Sequence, residues 1–274
     1  MKIGLIQMLV TDNKERNLTK AEAFVLEAAG QGADLIVLPE MFNCPYDSAY
    51  FRDFSEDKHG ETYERLSRMA KENKIYLVGG SVPITSGGKL YNTSYVFDRN
   101  GNEIHEHSKV HLFDVHIEGG MHFMESDTFD AGDSFGVFDT EFGKFGLGIC
   151  FDIRFSEEWQ KMEADGAVLC IVPAAFNMST GPAHWELTFR ARALDNEMFM
   201  VGVGPARNMA LTYHAYGHSI VTSPWGDVVE QLGFDEDVKV VEIDLSMVDR
   251  VRAQLPIVDK RRADLENHHV KEIV

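Results

Sequence analysis

One cysteine stands where the sequence pattern places a nucleophile. Cys150 ends the run FGLGIC, in which Phe145 to Ile149 predict a short buried strand. FDIRF follows, and SEEW opens a helix. A thiol between a buried strand and a helix is held rigidly, and backbone N–H groups of the turn can face an oxyanion. Cys150 is therefore a candidate nucleophile; the alternative is a small buried cysteine that packs as a hydrophobic side chain.

Three charged residues have a similar context at strand ends or in loops. Glu40 directly follows LIVLP, where an ionised carboxylate is costly unless it is paired or used in chemistry. Lys109 lies just before VHLF, where a hydrophobic strand is predicted to resume; it can stabilise an oxyanion or extend its amine to solvent. Glu125 lies in a long polar loop. With Cys150, such residues form a complete set for attack on an amide or nitrile carbon, with a carboxylate as the base.

Composition limits the class of protein. The chain has 274 residues, 44% of them hydrophobic, so it can bury a sizeable core. The net charge of −18 argues against nucleic acid and anionic membrane surfaces as partners. Three cysteines do not suggest a disulfide framework, and MKIGLIQMLV is interpreted as a first strand and not a signal peptide. These features favour a cytoplasmic protein.

Strand and helix patterns alternate along the chain. Strands are predicted at 2–8, 34–40, 75–83 and 167–175, and helices at 13–32, 60–74, 158–165 and 182–197. Four more strands and a closing helix follow, and Asn100-Gly101 predicts a type I′ hairpin turn. Strand–helix–strand units around 2–38 and 145–172 suggest two related halves. No linker interrupts the pattern, so the sequence predicts one α/β domain over residues 1–274.

Three segments resemble, in order and spacing, the catalytic motifs of the nitrilase, or carbon-nitrogen hydrolase, superfamily. They are LIVLPEMFNCPY, KVHLFD and GLGICFDIRF, and the resemblance covers essentially the whole chain. The segments GGSVPITSGGKLYNTSYVFDRNG, FMES, AGDSF and FNMSTGPAHWELTFRARALDNE are similar to the omega-amidase branch. The resemblance implies a four-layer α-β-β-α sandwich that forms homodimers and uses no metal or organic cofactor.

The resemblance also implies roles for individual residues. Glu40 is the expected general base, Lys109 the oxyanion stabiliser and Cys150 the nucleophile. Glu125 matches the superfamily's second glutamate, which orients the lysine and the substrate. The backbone N–H of Phe151 is expected to complete the oxyanion hole.

The branch implies a substrate class. Omega-amidases hydrolyse the terminal amide of short dicarboxylic monoamides such as 2-oxoglutaramate and 2-oxosuccinamate, releasing ammonia. The far carboxylate needs a cation, and Arg154, four residues past Cys150, is the candidate because a guanidinium can bind a carboxylate bidentately. Tyr46 and Thr180 resemble pocket positions of the branch; the alternative is that both are polar loop residues at the surface.

The remaining cysteines and the histidines have plainer interpretations. Cys170 is surrounded by apolar residues and is expected to be inert, whereas Cys44 follows Glu40 and can lie near the pocket without acting. His105, His107 and His111 share one strand parity, which is a possible zinc pattern without companion ligands. We therefore expect structural or solvated histidines and no metal.

Two alternatives to an omega-amidase stay open from the sequence. The first is a related amidase with the same residues, acting on deaminated glutathione, an N-carbamoyl amino acid or a nitrile. The second is a non-catalytic scaffold, which would have no need of Glu40, Lys109, Glu125 and Cys150 together. The Gly119-Gly120 pair and the length of 118–133 suggest a movable cover over the site.

Overall fold

A computed structural model describes residues 1–118 and 121–262. Its strands are β1 (Lys2–Gln7), β2 (Leu35–Val37), β3 (Glu56–Asp57), β4 (Tyr76–Val78), β5 (Val82–Ser86), β6 (Lys89–Phe97), β7 (Glu103–Ser108), β8 (Asp114–His116), β9 (His122–Met124), β10 (Val137–Thr140), β11 (Gly143–Leu147), β12 (Ala167–Pro173), β13 (Phe199–Val203), β14 (Ile220–Thr222), β15 (Val228–Gln231) and β16 (Asp237–Glu242). Its helices are α1 (Lys14–Gly30), α2 (Ser48–Phe54), α3 (Glu61–Asn73), α4 (Ser156–Ala164), α5 (Gly181–Asn196) and α6 (Met247–Gln254). Short 3-10 helices span Glu125–Asp127, Cys150–Arg154 and Val258–Lys260.

The strands form two large sheets and one hairpin. The first sheet has the order β16-β1-β2-β4-β6-β5-β3, with β7 paired to β6. The second has the order β10-β11-β12-β13-β14-β15, and β8 pairs with β9. In the first sheet β1, β2 and β4 are parallel; in the second, β11, β12 and β13 are parallel. The strand–helix–strand units predicted at 2–38 and 145–172 are therefore confirmed, one in each sheet.

Three hydrophobic clusters define the layers. One lies between the sheets and joins Ile3 and Leu35 of the first to Phe145 and Leu169 of the second. A second cluster packs α1 and α3 against the outer face of the first sheet, and a third packs α4 and α5 against the outer face of the second. Because each helix buries one apolar stripe and each sheet two apolar faces, the layers follow the order α-β-β-α, which confirms the predicted four-layer sandwich.

Residues 75–83 form two strands, where the sequence pattern predicted one. β4 and β5 lie on opposite sides of β6, and the chain crosses between them at Gly79-Gly80. Gly80 has φ +58°, and a Cβ there would lie 2.2 Å from the Pro39 carbonyl oxygen. A glycine is therefore needed at this close approach, and the crossing packs against the loop that leads to Glu40.

The hairpin between β6 and β7 was predicted correctly, but its turn type was wrong. Of the Asn100-Gly101 pair only Gly101 has a positive φ, +79°, whereas a type I′ turn needs both. Gly101 N–H donates to the Asp98 carbonyl at 3.0 Å, and Asp98 N–H donates to the Asn102 carbonyl at 2.9 Å. The loop is thus the three-residue form that ends on a left-handed glycine.

The chain beside two site residues is irregular where strands were predicted. Residues 109–113 are not a strand, because His111 N–H and Phe113 N–H donate to side chains, not to a neighbouring strand. The strand before Cys150 ends at Leu147, two residues earlier than predicted, and Cys150 opens a 3-10 helix. The loop after Glu40 contains α2, which the sequence pattern did not predict.

Candidate active site

A fully buried lysine lies at the centre of the site. Lys109 directly follows β7, and its Nζ lies 2.9 Å from Glu40 Oε1 and 2.8 Å from Glu125 Oε2. It also donates to the Tyr46 hydroxyl at 3.3 Å. An ammonium has three hydrogens, so these partners account for all of its donors. The structure therefore brings four of the predicted site residues into direct contact, although they come from distant parts of the sequence.

Glu40 is held by donors from both sheets. Its Oε1 accepts from Asn92 Nδ2 at 2.9 Å as well as from Lys109, and its Oε2 accepts from the Ala175 N–H at 2.7 Å. The Cys150 thiol also hydrogen-bonds to this carboxylate. Glu40 thus bridges the ammonium and the thiol, which is the position that a general base for the thiol requires.

Burial and charge set the proton affinities in this cluster. Burial, reinforced by the nearby Glu125, raises the pKa of Glu40 against the opposing effect of Lys109. Burial alone would lower the pKa of Lys109, but the two glutamates raise it, so the ammonium stays charged. Burial and the Glu40 carboxylate raise the pKa of Cys150, so the resting nucleophile is a thiol. The resting cluster is therefore a carboxylate ready to accept a proton beside a thiol that has one to give.

The backbone at Cys150 is strained. Its φ is +46°, in the left-handed region that a side chain with a Cβ seldom adopts. Such a conformation costs about 1–3 kcal/mol and persists only where neighbouring contacts fix it. The residue is only 5% exposed, at the start of the 3-10 helix that follows β11. The sequence pattern predicted a rigid thiol here but not the strained conformation that holds it.

Asn92 belongs to the site although the sequence analysis gave it no role. It lies on β6, fully buried, and its Nδ2 donates to Oε1 of both Glu40 and Glu125, at 2.9 and 3.3 Å. Its backbone carbonyl accepts from the Lys109 N–H at 2.8 Å. One sequence feature could have indicated it: a polar amide among the inward positions of KLYNTSYVF, which is costly to bury without a partner.

Arg154 lies at the end of the same 3-10 helix as Cys150. Its guanidinium carbon is 4.9 Å from the centre of the Phe176 ring and 5.6 Å from that of Phe151, and its Nη1 lies 3.2 Å from His184 Nδ1. Its buried Nε has no hydrogen-bond partner within the described residues. The pKa of Arg154 is lowered by burial and raised by the nearby Cys150. A half-buried guanidinium with an unused donor near the thiol suits an anionic ligand.

Thr180 and Phe151 are placed less directly. Thr180 stands at the N-terminus of α5, where its N–H and hydroxyl donate to Asn177 Oδ1 at 3.1 and 3.4 Å. Its described hydrogen bonds do not reach Glu40 or Lys109, so its pocket role stays a prediction. Phe151 follows Cys150 in the first turn of the 3-10 helix, and its ring packs against Phe113 with centroids 5.2 Å apart.

The other two cysteines are buried. Cys44 donates to the Pro45 carbonyl at 3.3 Å, and Cys170 lies 3.5 Å from the sulfur of Met198. Burial raises the pKa of both thiols, and their partners are a carbonyl and a thioether and not a base, so neither is a ready nucleophile. All three cysteines of the chain are free.

The histidines are engaged in packing and hydrogen bonds. His107 and His111 both contact the Asp152 carboxylate, and His105 stacks on Phe138 with centroids 5.5 Å apart. Within residues 1–118 and 121–262, no group of three or more His, Cys, Asp or Glu side chains is arranged to hold a metal ion. Among the helices of those same residues, none is long and apolar enough to cross a bilayer.

The segment after β8 packs against the site. The Phe123 ring lies 5.6 Å from that of Tyr46, and Glu125 Oε2 accepts from the Phe113 N–H at 2.7 Å. Phe129 is buried in the same cluster. The Gly119-Gly120 pair, on which the predicted movable cover depends, lies outside the described residues.

The family model for carbon-nitrogen hydrolases matches residues 2–253, and the chain belongs to this family. Among curated proteins, it is 49% identical over 266 residues to the omega-amidase NIT2-A of Xenopus laevis, with 97% of this chain and 96% of that protein covered. It is 47% identical over 264 residues to the omega-amidase NIT2 of Mus musculus, at 96% coverage of each.

A solved structure confirms the fold. The structure of Nit3 from Saccharomyces cerevisiae, described as a member of branch 10 of the nitrilase superfamily, superimposes with a TM-score of 0.88. It is 38% identical and covers 96% of each chain. The predicted membership of the nitrilase superfamily is therefore confirmed.

Proposed function

We propose that this protein is an omega-amidase, which hydrolyses the terminal amide of short dicarboxylic monoamides to the dicarboxylate and ammonia. The observation on which the mechanism rests is the hydrogen bonding of one buried carboxylate, Glu40, to both the Lys109 ammonium and the Cys150 thiol. The omega-amidases to which the chain is similar support the substrate class.

The first half of the cycle forms a thioester. Glu40 takes the proton of the Cys150 thiol, and the thiolate attacks the amide carbon. The oxygen becomes an oxyanion, which the Lys109 ammonium and the Phe151 N–H stabilise. The protonated Glu40 then gives its proton to the nitrogen, and the C–N bond breaks to release ammonia. The bond from Lys109 to Tyr46, the longest of the three at 3.3 Å, is the one that the substrate oxygen replaces.

The second half hydrolyses the thioester. Glu40 takes a proton from water, and the hydroxide attacks the thioester carbon. The tetrahedral intermediate collapses, the carboxylic acid leaves, and the Cys150 thiolate recovers the proton from Glu40. Asn92 contacts both Glu40 and the Lys109 backbone, and Glu125 contacts both the Lys109 ammonium and Asn92, so the two residues keep Lys109 and Glu40 in register throughout.

Arg154 binds the far carboxylate of the substrate. Its half-buried guanidinium, its unused Nε and its closeness to the thiol support this role. The site otherwise has a net negative charge, since Glu40 and Glu125 outnumber Lys109, so an anionic substrate needs a separate cation. Tyr46 and Thr180 complete the pocket in this proposal.

The assembly and the location are also part of the proposal. The protein forms a homodimer through the outer face of α5, where Leu187 is 67% exposed and Leu194 36%, beside Trp225 at 46%. It acts in the cytoplasm, where its three free thiols stay reduced. Light scattering of the wild type and of Leu187→Asp tests the first point, since the variant should be a monomer.

Ammonia release tests the function. 2-Oxoglutaramate, succinamate, glutamine, N-carbamoyl-β-alanine and a simple nitrile should be offered to the wild type and to Cys150→Ala. We expect turnover of the monoamide dicarboxylates only, lost in the variant. Turnover of another substrate would be consistent with the same mechanism but would assign the protein the substrate class of a related amidase. Absence of turnover on every amide would favour the scaffold alternative.

A further inference from the structure

Asp152 is a buried carboxylate that the proposed cycle does not use. It lies two residues after Cys150 and is fully buried. Its Oδ2 accepts from His107 Nε2 and from the Ile149 N–H, each at 3.0 Å. Its Oδ1 accepts from His111 Nδ1 and from the His111 N–H, each at 2.9 Å. We refer to these four bonds, from His107, His111 and Ile149 to Asp152, as the Asp152 clamp.

The clamp joins the two chain segments that hold the reacting groups. His107 and His111 stand two residues before and two residues after Lys109, and Ile149 directly precedes Cys150. One carboxylate therefore fixes both sides of the lysine and the residue before the nucleophile. On the substrate side of the site, by contrast, Glu40 joins the side chains of Lys109 and Cys150.

The clamp depends on an ionised carboxylate and on fixed histidine tautomers. Burial alone raises the pKa of Asp152, but the hydrogen bonds from His107 and His111 lower it to about 2. A carboxylate is only an acceptor, so His107 must donate from Nε2 and His111 from Nδ1. Both rings are also packed: His111 stacks on Phe155 with centroids 3.5 Å apart.

The clamp also lies against the strained residue. Cys150 has φ +46°, and the residues that flank it, Ile149 and Asp152, are bonded to each other. Ile149 N–H donates to the Asp152 side chain, while Asp152 N–H donates to the Ile149 carbonyl at 3.0 Å. A strained conformation relaxes unless its surroundings fix it, so removal of these bonds should let the thiol move.

We propose that Asp152 is a positioning residue, which sets the distance between the Lys109 ammonium and the Cys150 thiol through His107, His111 and Ile149. The inference rests on the roles proposed above for Lys109 and Cys150. It predicts a loss of rate and not of substrate affinity, because Asp152 is separated from the substrate by the residues that it holds.

The test uses two readouts on the full-length protein. The first is kcat and KM for ammonia release from 2-oxoglutaramate; the second is the rate at which iodoacetamide alkylates Cys150, measured below the melting temperature of each variant. For Asp152→Asn we expect kcat to fall about 100-fold, as a displacement of about 1 Å can cause, with KM changed less than about threefold. Alkylation should change in rate as well, because the thiol has moved away from Glu40.

Two pairs of variants separate positioning from simple stability. His107→Gln keeps a donor near the place of Nε2 and should retain at least about a third of the activity, whereas His107→Leu should lose as much as Asp152→Asn. Asp98→Asn is the matched control, since Asp98 accepts bonds from Asn100 N–H, Asn102 N–H and Asn102 Nδ2 in a turn outside the site. It removes the same charge and should leave kcat unchanged.

Several results would overturn the inference. One is a lowered melting temperature in Asp152→Asn with kcat unchanged in the folded fraction. Another is equal activity in His107→Gln and His107→Leu. If the wild type turned over no amide, the proposed function would fail instead, and the alkylation rates would still decide on the clamp: equal rates in the wild type and Asp152→Asn would reject it.

Discussion

The two halves of the sandwich repeat one topology and differ in the residues that come after their strands. In the first half, β1 begins a parallel set with β2 and β4; in the second, β11 begins a parallel set with β12 and β13. β1 ends on Gln7, a fully buried amide that binds Gly233, Asp235 and Ser219. After β11 comes Cys150. The first strand of the parallel set therefore ends on a structural amide in one half and leads to a thiol in the other.

The middle strands differ in the same way. After β2 comes the carboxylate of Glu40, and after β12 comes Ala175, whose backbone N–H donates to that carboxylate at 2.7 Å. The carboxyl ends of both parallel sets meet at one edge of the sandwich, so each half contributes what the other lacks. The first half provides the Glu40 carboxylate, Lys109 and Asn92; the second provides the Cys150 thiol and the Ala175 backbone donor. The topology is repeated, whereas the chemistry is divided between the halves.

Substitution of Glu40, the proposed base, should give the largest effect and test whether the chemistry is divided between the halves. Glu40→Gln has nearly the same size but cannot accept the thiol proton, so we expect kcat to fall about 10²–10⁴-fold with little change in melting temperature.

Gln7, the structural amide at the end of β1, should show the opposite pattern. Gln7→Ala removes the four hydrogen bonds of this buried amide and should cost about 2–4 kcal/mol of unfolding free energy, with kcat of the folded protein kept. Urea unfolding and steady-state kinetics measure both. A Gln7→Ala protein that was stable but inactive would contradict the comparison.

Asn92 tests how the first half holds its two carboxylates. Asn92→Asp places a third carboxylate beside Glu40 and Glu125, so kcat/KM at pH 7 should fall about 100-fold by charge repulsion. Glu40 is the proposed base, so a further rise in its pKa should move the acid limb of the pH–rate profile to higher pH. Asn92→Ala should lose less of its kcat/KM, and the acid limb of its pH–rate profile should lie nearer the wild-type position. The control is Asn100→Asp, an exposed change of the same charge; an unmoved limb in Asn92→Asp would remove Asn92 from the site.

Arg154 tests the contribution of the second half to specificity. Loss of a charged hydrogen bond in Arg154→Ala should raise KM for 2-oxoglutaramate by about 10–100-fold. A neutral amide, which has no far carboxylate, should be affected much less. Arg154→Lys should recover part of the affinity but not the bidentate geometry. Initial rates on the two amides give the comparison, and equal effects on both would place the carboxylate elsewhere.

His105 tests the contact between the halves and should have the smallest effect. It lies on β7 of the first sheet and stacks on Phe138 of the second, and burial, helped by His107, lowers its pKa to about 4. An unfolded histidine titrates near 6.5, so between pH 6.5 and 4 the unfolded chain binds more protons and stability falls as the pH falls. Between pH 7 and 5 the wild type should lose about 1–2 kcal/mol of unfolding free energy through His105, and His105→Phe should not show this loss. Urea unfolding at both pH values checks this, with exposed His116→Gln expected to show no such change.

The sequence by itself predicted most of the elements and the candidate reacting groups. Apolar runs and helical stripes depend on local periodicity, so the strands at 2–8 and 34–40 and the helices at 13–32 and 60–74 were predicted within a few residues. The sequence pattern indicated Cys150, Glu40 and Lys109 because a reactive or charged side chain directly beside a buried strand is uncommon and costly to bury. The resemblance to carbon-nitrogen hydrolases supplied Glu125, which its own loop did not distinguish.

Only the tertiary structure decided which groups meet. Asn92 and Asp152 form their bonds with residues distant in sequence, and periodicity contains no information about such contacts. The crossing at Gly80, which packs against Pro39, also depends on a contact between residues distant in sequence. Side-chain acceptors take the N–H groups that a continuing strand would use after β7 and β11. Local patterns therefore predict the elements, while burial of polar groups in a shared site determines how the chain departs from them.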